Sequence, residues 1–188
     1  MKQIRRFSLI TVMSVWLWSG FEVSTFFPWA AFKLNEHTLK EVCSLLQSSH
    51  MVAVVTVDNT MEKAHTGEKI NHRNLVRIRQ PIHLKEILYV SATPPRRTVT
   101  LQTYALEPPP AVTDPLNARY PGAYAEGTYV MFLRTLDDEI YETVEGWKGV
   151  YPLIQNRLVA LEGFGIEALM GMSKDTFIDV LKQCQRQH

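Results

Sequence analysis

Histidines and carboxylates are the side chains of this sequence that come nearest to a metal-binding pattern. The six histidines are His37, His50, His65, His72, His83 and His188. No two histidines stand at the spacing that a helical H-x-x-x-H zinc site requires. One polar segment combines two of them with two carboxylates: His65, His72, Glu62 and Glu68. These four side chains have donor atoms that suit a metal, but we expect them to be solvated, so the sequence predicts no metal site.

The sequence contains no recognised arrangement for covalent or cofactor chemistry. No serine stands in a G-x-S-x-G elbow, and no glycine-rich phosphate loop or nucleotide fingerprint is present. The acidic run Asp137-Asp138-Glu139 lacks the alternating ligand positions and the bend glycine of a calcium loop, and it is typical of a hairpin turn. We therefore expect no catalytic activity, and the sequence indicates no catalytic residue and no cofactor.

A group of basic residues raises the question of nucleic-acid binding. Arg73, Arg77 and Arg79 are interleaved with apolar residues, which places them on one face of a strand. Further basic residues stand nearby in the sequence: Lys69, Arg96 and Arg97. Such a stripe suits the grooves in which OB-folds bind nucleic acid, but the aromatic residues that stack on bases are not interleaved here. The formal net charge is only +1, so we expect an ordinary solvated sheet face and no nucleic-acid partner.

The N-terminus has the layout of an export signal. Lys2, Arg5 and Arg6 precede an apolar run that extends from Phe7 to Phe21. A basic region followed by about 15 apolar residues is typical of a secretory signal, and it is short for a spanning helix. We predict that residues 1–32 are a signal peptide or an uncleaved membrane anchor; a structural helix of the fold is the third alternative. The protein is then periplasmic, secreted or anchored facing outward, with membrane contact only through this segment.

The remaining residues, 33–188, have the size of one domain with a helix near each end. Thr38 and Glu41 have the spacing of a capping box, which predicts a first helix over residues 38–49. Ser173 is placed to cap a second helix over residues 173–186, in which Phe177, Val180, Leu181 and Cys184 form one apolar stripe. Between the helices, the sequence predicts short strands at 51–57, 75–79, 83–90 and 98–104. Pro81 is expected to close the second of these strands.

Two stretches interrupt the predicted strands, and one stretch consists almost wholly of strands. Residues 58–73 are polar without periodicity and predict a long loop, as do the proline-rich residues 107–127. Residues 127–161 contain successive runs of β-favouring residues, separated by Asp137-Asp138, by the Gly146–Gly149 turn and by Gln155-Asn156. A chain that reverses this often forms a meander. The predicted fold is mainly β, a small antiparallel barrel of five or six strands with flanking helices.

Two segments resemble a group of bacterial exported proteins of unknown function. These are TLKEVCSLLQSSHMVAVVTV and YAEGTYVMFLRTLDDEIYETVEGWKGVYPLIQNRLVAL, within residues 38–161. The specific positions are Gly127, Tyr129, Phe132, Leu133, Tyr141, Gly149 and Val150. Such proteins are similar to OB-like barrels of the netrin and tissue-inhibitor-of-metalloproteinase type, and the resemblance implies that barrel. Thr56 stands where many relatives have glycine, and the leading zinc-chelating cysteine of the inhibitors is absent, so an inhibitory function is not implied.

Two classes of function remain open at this point. The favoured one is a cell-envelope or secreted binding module of unknown ligand, which contacts an envelope or extracellular protein or a small ligand through segments 58–73 and 107–127. The alternative is an enzyme or a metal-dependent protein whose site assembles from the same two segments. Trp147, between two glycine-bearing turns, is the aromatic residue we expect on a contact surface.

Cys43 and Cys184 are the two cysteines of the chain. Each falls on the apolar stripe of a predicted terminal helix, so both face the interior. If these helices pack side by side, a disulfide can join them, and an oxidising compartment favours pairing of an even number of cysteines. The alternative is two buried free thiols that act as small apolar side chains.

Overall fold

A computed structural model of the chain describes residues 34–91 and 96–186. The chain divides into two units, Met1–Ala31 and Phe32–His188, and every described residue belongs to the second. The segment 1–32, for which we predicted a signal or an anchor, lies outside the described residues. Within the described part, no helix combines the length and the apolar character needed to cross a membrane.

The described fold is mainly β, with one helix before the strands and one after them, as the sequence predicts. The strands are β1 (Met51–Val57), β2 (Glu62–Ile70), β3 (Arg73–Val90), β4 (Thr98–Glu107), β5 (Gly127–Asp137), β6 (Ile140–Thr143), β7 (Val150–Ile154) and β8 (Arg157–Leu158). The α-helices are α1 (Glu36–Gln47), α2 (Leu116–Arg119) and α3 (Lys174–Gln185), and short 3₁₀ turns cover Gly146–Gly149 and Glu167–Leu169.

Five strands close into a ring. The order is β1-β3-β4-β6-β5, and β5 pairs again with β1 over the full length of β1, from Met51 with Leu133 to Val57 with Gly127. The ring matches the predicted small barrel, with one correction to its description as antiparallel. β4 and β6 run parallel, because the other four neighbouring pairs of the ring are antiparallel and direction cannot alternate around five strands.

The strands β1 and β5 are buried on both faces and therefore separate two apolar clusters. One cluster fills the ring interior and includes Met51, Ala53 and Val55. The other lies outside the ring, where Val52 and Val54 pack under the helices α1 and α3. The strand predicted over residues 51–57 is confirmed, and its nearly continuous apolar run, MVAVVTV, is explained by an apolar cluster on each face.

The predicted terminal helices are confirmed, but the predicted cap of the first is wrong. α1 begins two residues earlier, after Asn35, whose side-chain oxygen accepts the backbone N–H of Thr38 at 2.8 Å. Asparagine is among the best N-cap residues, so it replaces the expected Thr38–Glu41 box, and Glu41 instead lies 3.6 Å from the Lys148 ammonium. In α3 the predicted cap is confirmed, since the Ser173 hydroxyl accepts the N–H of Thr176.

The disulfide between Cys43 and Cys184 is present and joins α1 to α3, with 5.1 Å between the two Cα atoms. Both cysteines are buried beside Val42, Leu181 and the ring residue Phe132 in the cluster under the helices. The bond spans 141 residues of sequence, so it fixes the two ends of the domain to each other. A disulfide is typical of proteins in oxidising, non-cytoplasmic compartments.

The prediction of a loop over residues 58–73 is wrong, because most of this segment is the strand β2. It forms a hairpin with β3 through a two-residue turn at Asn71 and His72, both with positive φ. Every residue of β2 except Ile70 is exposed. A strand with water on both faces needs no apolar alternation, so periodicity gives no sign of it. Asn71 favours such a turn, but the strong hairpin signal is Asn followed by glycine, and here His72 follows.

Pro81 does not end its strand, because β3, which is 18 residues long, continues through it to Val90. β2 is paired with β3 as far as Arg79, and β1 is paired with it from Ile82 onward along the same edge. Leu84 donates its backbone N–H to the carbonyl of Arg97 on the β4 side. Because N–H groups alternate between the two edges, the nitrogen of Pro81 faces the gap between β1 and β2, where a missing donor breaks no ladder.

Candidate functional site

An open groove runs over the outer face of the ring where β4 and β6 separate. The two strands pair over two positions only, the second being Leu101 with Tyr141. Leu101 and Tyr141 belong to the interior cluster, so the next residues, Gln102 and Glu142, point outward. The groove has a volume of about 780 Å³, within the range of about 300–1,000 Å³ that is usual for small-ligand sites. Its lining is mainly polar and includes Arg77, Gln102, Tyr104, Arg134, Glu142 and Thr143.

The two segments that we predicted to form a site from loops both line this groove. His65, Thr66 and Glu68 come from the first segment, where they lie on the exposed strand β2. Arg119 and Tyr120 come from the second, at the end of α2. The two segments are separated by β3 and β4 in the sequence. The structure brings them together on opposite rims of one groove.

The second rim is fixed to the ring by buried hydrogen bonds. The Gln80 amide accepts the backbone N–H of Tyr124 at 2.8 Å and donates to its carbonyl at 2.9 Å. Thr103 donates its hydroxyl to the Gly122 carbonyl at 2.7 Å. The Tyr124 hydroxyl bonds that of Thr143, and burial raises the pKa of Tyr124, so the phenol stays neutral. These bonds hold Gly122 and Tyr124, and with them this rim, against the ring.

A close backbone approach holds α2 in place. Gly146, in the 3₁₀ turn after β6, has φ of +59°, and a Cβ at this position would lie 2.6 Å from the Ala118 carbonyl oxygen. Only glycine permits both the positive φ and this approach. The helix therefore packs directly against the turn, and this contact sets the position of the rim that carries Arg119.

The three arginines of the predicted stripe have different environments. Arg73 donates from Nη1 to the carbonyls of Pro108 and Pro109, at 2.8 and 3.0 Å, and so ties down the second segment. Arg79 donates from Nε to the Gln102 side-chain oxygen at 3.1 Å. Arg77, between them, lines the groove; its Nε is buried, and among the described residues it has no hydrogen-bond partner. The sheet face is therefore not uniformly solvated, which corrects our expectation for Arg77.

A chain of hydrogen bonds on the groove floor fixes the orientation of Tyr104. Because the Arg79 guanidinium can only donate, the Gln102 atom that faces it is the amide oxygen. The Gln102 nitrogen then donates to the Tyr104 hydroxyl oxygen at 3.0 Å. Tyr104 stands opposite Arg77 in the β3–β4 pairing, so its hydroxyl and the guanidinium share one face of the sheet.

Two of the three carboxylates that line the groove are paired with cations. Glu142 accepts hydrogen bonds from the guanidinium of Arg134, one of them from Nε at 2.9 Å. Glu145 lies 3.3 Å from the Lys148 ammonium. The third, Glu68, is exposed on β2. The groove is therefore lined by two carboxylates whose charges are balanced by cations and by two arginines, Arg77 and Arg119, that form no ion pair within the described residues.

Trp147, the expected contact residue, is partly buried. Its ring packs edge-on against Tyr124, with 4.7 Å between the centroids. The remaining surface lines a second, shallower groove of about 470 Å³ with apolar neighbours, among them Val112, which is 91% exposed, and Phe164. The position is thus available for contact, although one edge of the ring system packs against Tyr124.

A hydrogen-bonded group that sequence reasoning missed lies at the other end of β4. His83 contacts Asp58 through Nε2 at 2.8 Å and Thr98 through Nδ1 at 3.0 Å. A hydroxyl, an imidazole and a carboxylate in series have the composition of a catalytic triad. The side chains of His83 and Asp58 are 41% and 44% exposed, however, so the group lies open to water. His83 and Thr98 are cross-strand partners, so this contact ties the β1–β2 connection to the ring.

The histidines that we considered as metal ligands are placed differently. His65 lines the groove, while His72 lies in the β2–β3 turn. In the described ranges, no group of three or more His, Cys, Asp and Glu side chains is arranged to hold a metal ion.

Comparison of the chain with protein-family models and with curated proteins gives no match.

Proposed function

We propose that this protein is an exported binding module without catalytic activity, and that its ligand lies in the groove between β4, β6 and α2. The observation that carries the proposal is the meeting of segments 58–73 and 107–127 over one polar groove of small-ligand size. Binding residues are commonly carried by connections on a rigid scaffold, and here the scaffold is the closed ring.

The position of the groove on the ring supports the same function. In chain order, β1, β3 and β4 correspond to the first three strands of an OB-like ring. OB-folds bind extended ligands on the face of their second and third strands and through the connection between the first and second. The groove lies on the face of β3 and β4, and β2 belongs to the connection between β1 and β3. This support is by analogy of fold, and the chemistry of the groove has to identify the ligand.

Export is supported by the basic and apolar N-terminal sequence and by the disulfide, which persists in an oxidising compartment. The netrin-like and inhibitor-like resemblance remains a proposal about ancestry. An envelope or extracellular protein that inserts a side chain into the groove and a free small molecule are both compatible with its volume.

The test is a binding screen read by NMR. Amide spectra of the full chain, with its disulfide formed, are recorded with amino acids, short peptides, neutral sugars, sugar acids and phosphorylated sugars. We expect at least one class to shift amides of both rims, such as those of Glu68 and Tyr120. His65→Trp, which puts an indole at the groove, should abolish the shifts, whereas Lys63→Trp on the same strand should not. Binding that maps to α1 and α3, or survives His65→Trp, would contradict the proposal.

A further inference from the structure

We propose that Arg77, Tyr104 and Arg119 form a subsite for an oxyanionic group of the ligand, a carboxylate or a phosphate. This inference rests on the proposed binding function of the groove and adds the chemical class of what is bound. The three side chains line the same groove and come from β3, β4 and the end of α2.

The first observation is the unused donor of Arg77. Its Nε is buried and has no hydrogen-bond partner among residues 34–91 and 96–186. A buried donor without a partner is costly, because water is lost and nothing replaces it. Arg73 and Arg79, on the same face of the same strand, each have a partner from the protein. A ligand that carries an acceptor would give the Arg77 Nε the hydrogen bond that protein oxygens give Arg73 and Arg79.

The second observation is the proton of Tyr104. Its hydroxyl oxygen already accepts the Gln102 amide, whose orientation Arg79 sets. A phenol has one proton to donate, and no protein acceptor for it is present among the described residues. The hydroxyl can therefore donate to a group in the groove, beside the free donor of Arg77.

The third observation is the charge of Arg119. The side chain is exposed, and its guanidinium lies 5.7 Å from the centre of the Tyr120 ring. No carboxylate within the described residues forms an ion pair with it or with Arg77. Glu142 and Glu145 already have cations of their own.

These groups together present donors and positive charge. An oxyanion offers several acceptor lone pairs and a negative charge, and arginine binds carboxylates and phosphates through paired N–H groups. A cation or a neutral donor would meet no complementary group there. The subsite therefore selects for an anionic end of the ligand, while the rest of the groove accommodates its body.

The experiment follows arginine Nε–Hε signals of the full, disulfide-bonded chain in ¹H–¹⁵N spectra. The probes are inorganic phosphate and acetate, with chloride at the same ionic strength as a control. We expect a saturable shift of the Arg77 signal with phosphate, with acetate or with both, and none with chloride. A response to phosphate alone identifies a phosphate subsite, and a response to acetate alone identifies a carboxylate subsite.

Variants then assign the donors, with the Tyr120 amide as the reporter. Arg77→Gln should weaken binding by about 10- to 100-fold, as expected for loss of a charge-assisted hydrogen bond, and Tyr104→Phe by about 3- to 10-fold. Arg96→Gln makes the same charge change next to Glu139, outside the groove, and should leave affinity within about two-fold. No saturable shift with either anion, or equal loss in Arg96→Gln, would overturn the subsite. If neutral compounds still bind both rims in the screen, the binding function would stand without it.

Discussion

The outer surface of the ring has one side that is covered by helices and one side that is open. On one side, the outward residues of β1 and β5 are apolar, Val54 and Phe132 among them, and α1 and α3 cover them completely. On the other side, most outward residues of β3 and β4 are polar, with Arg77 and Tyr104 among them, and they form the floor of an open groove. On both sides, residues that stand between the outward ones point into the ring and belong to the same interior cluster. The difference therefore lies only in which residues occupy the outward positions.

The helix-covered side contains residues that stabilise the fold, and the groove side contains residues that are exposed to a ligand. Burial of apolar area under α1 and α3 stabilises the fold, and the disulfide joins these two helices to each other. The groove floor contains a buried guanidinium nitrogen that has no partner in the described part of the chain and so does not contribute to folding. Residues that a protein retains at some cost to stability are expected where it binds something.

The largest effect is expected on the helix-covered side. Phe132 is fully buried and makes edge-on contacts with Phe177 and Tyr151, with 6.0 and 6.4 Å between ring centroids. Phe132→Ala should lower the free energy of unfolding by about 3–5 kcal/mol, through lost transfer energy and the cavity left behind. Urea denaturation measures this. A loss as small as that of a surface substitution would mean that the helices do not seal this face.

The disulfide should have the next largest effect. The double variant Cys43→Ala/Cys184→Ala should lose about 2–5 kcal/mol of stability, because the bond closes a very long loop in the unfolded chain. Thermal and urea unfolding of the exported protein give the value. The groove should keep its amide spectrum at temperatures where the variant remains folded. Loss of the groove signals together with those of α1 would show that the two sides are coupled.

A smaller effect is expected where the rim of the groove joins the ring. Gln80→Met keeps the volume but leaves the backbone N–H and carbonyl of Tyr124 without their partners. The cost should be about 1–3 kcal/mol, the usual penalty for unsatisfied buried polar groups. Hydrogen exchange of the Tyr124 amide should rise more than that of amides in β1. Uniform acceleration of all amides would indicate global destabilisation instead of local release.

A very small effect is expected at the groove floor itself. Tyr104→Phe removes a hydroxyl whose one hydrogen-bond partner among the described residues is the Gln102 amide, and the ring of the side chain stays. Stability should change by less than about 1 kcal/mol, measured by urea denaturation. A loss as large as that of Gln80→Met would make Tyr104 a structural residue and weaken the contrast between the two sides.

Sequence reasoning was successful where apolar residues follow a simple period. The stripe of α3 and the continuous run of β1 predict their elements because both are defined by the apolar surfaces they bury. The positions of the two cysteines on such stripes allowed the disulfide, but left two buried free thiols as the alternative, and the structure shows the bond. The reversals after β5 and β7 followed from turn residues, which depend on local backbone preference.

The groove could be predicted only in part. The two segments that line it were identified as candidates by their polarity and prolines, but β2 was missed because a strand exposed on both faces has no apolar pattern. The role of Arg77 depends on which neighbours already have partners. That depends on the Gln102 amide and on the Pro108 and Pro109 carbonyls, more than 20 residues away in the sequence. Contacts at such separations have no signature in a single sequence.

The most direct test of the central claim compares two arginines on one strand face, without any ligand. Arg79 has a protein partner, and Arg79→Met should lower the free energy of unfolding by roughly 1 kcal/mol, because it leaves the buried Gln102 oxygen unpaired. The Arg77 Nε has no partner among residues 34–91 and 96–186, so Arg77→Met should leave stability unchanged or raise it by up to about 1 kcal/mol. Urea denaturation of both variants beside the parent protein gives the comparison. A loss for Arg77→Met that equals or exceeds that of Arg79→Met would show that Arg77 holds the fold, and would contradict its assignment to a ligand.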